Sequence, residues 1–158
     1  MNKADLVQRI LAQLTHDLKV FHDAAKKAHE AATHEENQPD NKYDTLALES
    51  SYVAQGQANR AQELRQSINV YRQLPLVSDS ETVCLTSLVT IKAENGVEKV
   101  VFIGPLEGGL KVECEGTEIM VISPTSPLGR ELIGKGPGDT AVITAGSKAI
   151  EYEIEAIL

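Results

Sequence analysis

Two runs of small and apolar residues, each spaced alternately four and three apart, dominate the first 74 residues. The first run is Val7, Leu11, Leu14, Leu18, Phe21, Ala25, Ala28 and Ala32. Such a run is the seam of a coiled coil, because it keeps one helix face turned toward a partner helix. The second run is Ala47, Ser50, Ala54, Gln57, Ala61, Leu64, Ile68 and Tyr71, weakened by its two polar members. Folded back about a turn near Pro39, the runs pair Val7 with Tyr71, Leu14 with Leu64, and Ala25 with Ala54. Side-chain size matches along the seam, large at the open base and small toward the turn. Two helices in a globular bundle have no need of this matched taper. The pattern predicts an antiparallel α-helical coiled-coil hairpin over residues 1–75. Roughly 30 residues per arm, at about 1.5 Å each, give a rod of about 45 Å. Asn2 is placed to cap the first helix and Asp5 to favour its positive end. Pro75 stops the second helix.

Beyond Pro75 the period shortens to two. Val83 to Ala93 and Val97 to Ile103 read as strands joined by Asn95-Gly96, a pair suited to a tight hairpin turn. Leu110 to Cys114 and Glu118 to Ile122 form a second hairpin around Gly116. Ser126-Pro127 opens a short helix over Leu128 to Ile133 that stops at Gly134. Thr140 to Thr144 and Ala149 to Leu158 are the closing strands. The last of these sets Ile150, Tyr152 and Ile154 against Glu151, Glu153 and Glu155. The expected class is α+β: a hairpin over 1–75 and an antiparallel β-sheet with one short helix over 76–158.

The formal net charge is −8, unevenly spread. Residues 1–74 hold nine Lys/Arg against ten Asp/Glu, whereas residues 75–158 hold six against thirteen. An acidic second half repels nucleic-acid phosphates and suits a basic protein surface; solubility alone is the competing explanation. Sequence-specific DNA binding and a membrane role are therefore not expected. No apolar run nears the length needed to span a bilayer, and the first residues lack the features of a signal peptide. Cys84 and Cys114 are expected as buried thiols, which points to the cytoplasm. Gly129 to Gly136 approaches a phosphate-binding loop but lacks Ser or Thr after Lys135. His16, His22, His29 and His34 all fall on the first arm without metal-ligand spacing.

The turn carries four carboxylates, Glu35, Glu36, Asp40 and Asp44, against Lys42. Asp40 suits the cap of the second arm, and Asp44 lies near its positive end. Glu35 and Glu36 sit at the negative end of the first helix, where acids cost stability. Local cost at an exposed tip invites a functional reading, and clustered carboxylates suit a hard divalent cation. Exposed carboxylates without rigid geometry hold magnesium weakly alone, so the tip fits a metal site that a partner already owns. A merely solvated tip is the competing reading.

One stretch carries a resemblance. Val121-Ile122-Ser123-Pro124-Thr125-Ser126-Pro127-Leu128-Gly129-Arg130-Glu131-Leu132-Ile133-Gly134-Lys135, followed by Gly138-Asp139, is similar to the C-terminal signature of the bacterial GreA/GreB transcript cleavage factors. Val89-Thr90-Ile91 and Ile103-Gly104 also fit, and the hairpin fits by architecture. The resemblance implies an FKBP-like second domain that docks on RNA polymerase, with Ser126, Pro127, Leu128 and Gly129 as partner-binding residues. It implies that the hairpin enters the polymerase secondary channel. It implies that tip carboxylates, drawn from Asp40, Asp44, Glu36 and Glu35, act there without a cofactor of the chain's own. Asp40 and Asp44 would share a Mg2+ with the polymerase active site, which then cleaves backtracked RNA. The chain would thus be no enzyme itself. The family tip pairs an acid with a second acid three residues on, followed by Asn. Here Asp40-Asn41 matches the second half, but Asn37 stands three before it; Asp40 and Asp44 form the alternative pair, four apart. Segment 104–110 is less acidic than the family's loop. Two further readings stay open: a Gre-like channel-binding regulator without cleavage, and a coiled-coil adaptor unrelated to the polymerase active site.

Overall fold

A computed structural model describes the backbone of residues 1–33 and 44–158, and the side chains of 1–31 and 51–158. Two long helices come first, α1 (Lys3–Thr33) and α2 (Asp44–Arg72). Asn2 caps α1: its side-chain oxygen accepts from the Ala4 amide at 2.8 Å and its carbonyl from Leu6 at 3.1 Å. The chain divides into two compact units, one of Leu11–Asn69 and one of Met1–Ile10 with Val70–Leu158. This division differs from a boundary at 75/76, because the base of both helices belongs with the sheet.

In the helical unit the buried side chains follow the expected seam. Leu14, Ala54, Ala61, Leu64 and Ile68 are buried, and Leu11, Leu18, Phe21, Ala25 and Ala28 are half-buried. The arms run antiparallel by a length argument. Eleven Cα steps separate Thr33 from Asp44, at most roughly 38 Å of chain. Parallel arms would need the connection to span an arm of roughly 43 Å. Arg65 Nη2 lies 3.5 Å from His22 Nδ1, a contact from one arm to the other. Gln57 is the flaw in the seam: its Oε1 is buried with no hydrogen-bond partner among the described residues. Such an acceptor costs about 1–3 kcal/mol and penalises neighbouring registers as well.

The second unit is built on a six-stranded sheet in the order β3-β4-β2-β1-β6-β5. Its strands are β1 (Leu88–Ala93), β2 (Glu98–Ile103), β3 (Lys111–Cys114), β4 (Thr117–Ile122), β5 (Thr140–Ala145) and β6 (Lys148–Ile157). A short helix, α3 (Pro127–Leu132), lies between β4 and β5. The Asn95-Gly96 turn is wider than the expected two-residue form: only Gly96 takes positive φ, 86°, the Ala93 amide donates to the Val97 carbonyl at 2.9 Å across a three-residue loop, and the Val97 amide donates to Asn95 Oδ1 at 3.0 Å. Glu115 and Gly116 both take positive φ, 52° and 78°, and close the two-residue β3–β4 turn.

Two expectations need correction. The sheet is mixed, since β2 and β4 pair in parallel, Val100 with Ile119 through Ile103 with Ile122. Each takes its antiparallel neighbour from its own hairpin, and joining the hairpins leaves β2 beside β4. The first strand also starts at Leu88 rather than Val83. Cys84–Ser87 is a turn in which Ser87 N donates to the Cys84 carbonyl at 3.0 Å, and Cys84 N to Ser87 Oγ at 2.9 Å. Thr86 sits at φ 73°, outside any strand, with its amide on the Ile103 carbonyl and its hydroxyl receiving Val77 N. A β-branched residue holds that conformation only when several bonds fix it. Cys84 is accordingly half-buried, while Cys114 is buried in β3; both are free thiols.

Each face of the sheet has its own cover. On one, Val89, Ile91, Val101, Ile103, Ile122, Ala141, Tyr152 and Ile154 form a core with Val83 and with Leu132 of α3. Leu88, Phe102, Ile119 and Val121 point the other way by strand alternation and are also buried. The helix base meets this second face. Tyr71 Oη donates to the Leu106 carbonyl at 2.5 Å. A Cβ on Gly104 would fall 2.4 Å from that hydroxyl and 2.7 Å from Val121 Cγ1. Lys3 Nζ reaches the carbonyls of Val77 and Thr86. Burial holds the Lys3 ammonium below the ordinary lysine pKa, partly offset by the nearby Cys84 and Asp79. Leu6 and Ile10, off the expected seam, are fully buried because the base of α1 packs against more than its sister helix.

Candidate docking site

Ser126 is the hinge of the signature segment. With φ −66° and ψ 157° it stands outside the helix, and its Oγ accepts from the Gly129 amide at 3.0 Å. The same hydroxyl donates to the Ser123 carbonyl at 2.7 Å. Pro127 fills the first helical position, where a missing amide hydrogen costs nothing. Gly129 is demanded by packing: a Cβ there would lie 2.0 Å from the Ser123 carbonyl oxygen and 2.9 Å from Ser126 Oγ. Arg130 N closes the first turn on the Ser126 carbonyl at 2.9 Å.

This rigid cap forms one wall of an open cleft of about 400 Å3. Ser123, Ser126, Pro127 and Leu128 line it with Gly108, Gly109, Met120, Ile122 and Ile143. The wall is mostly apolar with hydroxyls at one rim, a surface suited to a protein partner rather than to phosphate. The structure thus brings Ser126, Pro127 and Leu128 onto one wall, while Gly129 lies buried behind it. Met120, Ile143 and the glycine pair come from elements distant in sequence. These residues are not among those singled out from the sequence; the Gly108-Gly109 doublet, with Gly109 at φ 95°, is the local signal that could mark the loop, and nothing local marks Met120 or Ile143.

Lys135, the lysine of the loop-like stretch, donates to the Thr140 carbonyl at 2.8 Å and pairs with Glu131 at 3.6 Å. It ties α3 to β5. Among the tip residues, Glu35, Glu36 and Asp40 lie outside the described residues, and Asp44 is the first residue of α2. His34 is also outside them; His16, His22 and His29 lie along α1. Among the described residues no group of three or more His, Cys, Asp or Glu side chains is placed to hold a metal ion. No helix among them is long and apolar enough to cross a membrane.

Residues 78–158, just over half of the chain, match the family model described as "Transcription elongation factor, GreA/GreB, C-term". The protein belongs to the GreA/GreB family. The match spans the whole sheet and the capped helix. This Gre-family chain is a transcription elongation factor of the kind that acts on RNA polymerase. Family membership favours a Gre-like elongation factor over the coiled-coil adaptor unrelated to the polymerase active site. No curated protein sequence gives a match. Among solved structures, the transcription factor Gfh1 is 20% identical, covering 96% of this chain and 92% of its own, with a TM-score of 0.41. Gfh1 of Thermus thermophilus is 18% identical, covering 94% of each chain, with a TM-score of 0.40. A GreA/GreB factor from Nitrosomonas europaea is 20% identical over 60% of this chain and 77% of its own, with a TM-score of 0.38.

Proposed function

We propose that this chain enters the secondary channel of RNA polymerase and stimulates cleavage of backtracked RNA, rescuing stalled elongation. The observation that carries the reading is the join of a Gre C-terminal domain to two antiparallel helical arms whose connection is acidic. The C-terminal domain docks through the wall of Ser126, Pro127 and Leu128, held in shape by Gly129. Asp40 and Asp44 hold a Mg2+ jointly with the polymerase active site, with Glu35 and Glu36 beside them. Their donor set fits that ion, being hard carboxylate oxygens. The bound ion supplies the activation of water that phosphodiester hydrolysis requires. The chain brings no cofactor of its own and acts in the cytoplasm.

A second reading has its own support. The position three before Asp40 is Asn37, so the tip departs from the family pairing of acids. In this reading the factor occupies the channel and modulates or inhibits transcription without cleavage. One assay separates the two. Stalled, backtracked elongation complexes are incubated with the full chain and magnesium, and short 3′ RNA fragments are scored. Fragment release well above polymerase alone supports the cleavage factor. No release, together with competition against a known channel factor, leaves the regulator; neither release nor competition rejects channel entry.

A further inference from the structure

The two edges of the sheet are treated differently by the sequence. Edge strand β3 has four residues, of which Lys111 and Glu113 are charged, and charge on a short edge deters pairing with another strand. Edge strand β5 is Thr140-Ala141-Val142-Ile143-Thr144-Ala145, six residues with no charge and three β-branched types. Among the described residues no strand lies beyond it. The phase of its ladder is fixed by the Ile154 amide, which donates to the Asp139 carbonyl at 2.9 Å. Antiparallel pairs alternate, so Ala141, Ile143 and Ala145 exchange bonds with β6, while Thr140, Val142 and Thr144 turn N–H and C=O outward. Lys135 Nζ on the Thr140 carbonyl agrees with that phase. Val142 and Thr144 thus present two complete donor–acceptor pairs.

Charge says what fits there. Thr140 pairs with Glu153 and Val142 with Glu151, so these carboxylates share the outer face with the outward side chains of β5. A shallow groove of about 330 Å3 on that face is lined by Thr140, Glu151, Glu153, Glu155 and Lys92, and Lys92 is paired with Glu155 at 3.7 Å. Strands lie about 4.8 Å apart, so an added strand would sit about 10 Å from β6. Lysine and arginine stems span that gap across Val142, which is 45% exposed, and bring their charge to Glu151 and Glu153. A second copy pairing through β5 would instead add its own two carboxylates to the same face. On the inner face, Ile143 lines the apolar cleft beside α3.

We infer that β5 is a strand-addition site for an extended protein segment that alternates basic with apolar residues. The basic row would lie over Glu151 and Glu153 and the apolar row beside Ile143. The inference stands apart from the polymerase reading, because its test uses no polymerase. The probe is a capped Lys-Val-Lys-Val-Lys-Val peptide, titrated into the full-length, isotope-labelled protein and followed by amide NMR. The Val142 and Thr144 amides should shift most, and binding should weaken as salt rises. E151Q/E153Q should weaken binding about three- to tenfold, as expected for two exposed ion pairs. V142P should abolish it with the melting temperature little changed, because proline is tolerated on the open side of an edge strand. Equal binding of a Glu-Val-Glu-Val-Glu-Val peptide would overturn the inference. So would shifts confined to other strands, or a dimer of the unliganded protein that V142P dissolves.

Discussion

The helical arms and the sheet domain spend their residues differently. In the arms, one residue in three or four sets the structure, and it need only be apolar and of suitable size. Leu14 and Leu64 are fully buried, yet other large aliphatic residues would close the same seam. In the sheet domain, single positions are fixed by backbone geometry. Gly129 admits no side chain against Ser123, and Ser126 alone satisfies both a helix amide and a loop carbonyl. The family model, itself a description of a C-terminal domain, matches the sheet part of the chain, residues 78–158. A heptad seam constrains residue class, whereas the capped Ser123–Gly129 segment constrains individual residues.

The sharpest way to break this contrast is at the tip. D40N/D44N should bring stimulated RNA cleavage down to the level of polymerase alone while leaving polymerase binding nearly unchanged. The amides keep the side-chain shape but lose the charge that a magnesium ion needs. Transcript cleavage and competition binding are measured on the same preparations. Unchanged cleavage would remove this pair from the metal-holding role, and a parallel loss of binding would place the docking energy in the arms. Replacing Glu35 and Glu36 by Gln should matter less and should not lower the melting temperature, since in sequence they follow the C-terminal end of α1, where acidic charge is unfavourable.

Next in size are the two kinds of structural position. Leu14→Ala and Leu64→Ala should each cost about 2–4 kcal/mol in denaturant unfolding. Val53→Ala, at a side chain 54% exposed, should stay within about 0.5 kcal/mol. Three equal values would mean that the seam register is wrong. Gly129→Ala should cost about 3 kcal/mol, the upper range for overpacking, because backbone rather than a yielding side chain stands in the way. Its effect should appear in polymerase binding as well, whereas Leu64→Ala should spare binding under conditions where the chain stays folded.

The period of each segment made most of this architecture legible. The alternation of four and three located the seam, and Asn95-Gly96, Gly116 and Ser126-Pro127 located turns and the short helix, because those residues act on their own backbone. Misread features depend on partners distant in sequence. Leu6 and Ile10 lie off a two-helix seam and are buried because the helix base also meets the sheet domain. Val83 to Ser87 has the composition of a strand, but bonds from Val77, Lys3 and Ile103 hold Thr86 at positive φ. The parallel pairing of β2 with β4 joins two hairpins and leaves no local trace. At the cleft wall, Ser126-Pro127 is readable as the start of a helix, whereas Met120 and Ile143 reach the cleft only through sheet topology.

A smaller loss than those at Leu14, Leu64 and Gly129 tests the join between helix base and sheet within one compact unit. Tyr71 is buried, and its hydroxyl donates to the Leu106 carbonyl beside Gly104. Burial raises its pKa well above the ordinary tyrosine value, and the nearby Glu107 raises it further. The neutral phenol is therefore the form the folded protein holds. A raised pKa gives stability that is fully present below the unfolded value, near 10, and is lost as pH rises beyond it. The protein should then lose stability progressively above about pH 10. Tyr71→Phe keeps the ring, removes the donor, and leaves the Leu106 carbonyl without it. At neutral pH it should cost about 1–2 kcal/mol. Above pH 10 the gap between variant and parent should narrow, because only the parent must suppress ionisation of a buried phenol. Urea unfolding across pH 7 to 11 measures both. A gap that stays constant with pH would show that Tyr71 ionises as freely in the folded chain as in the unfolded one. The hydroxyl would then not be the buried link that joins α2 to the sheet.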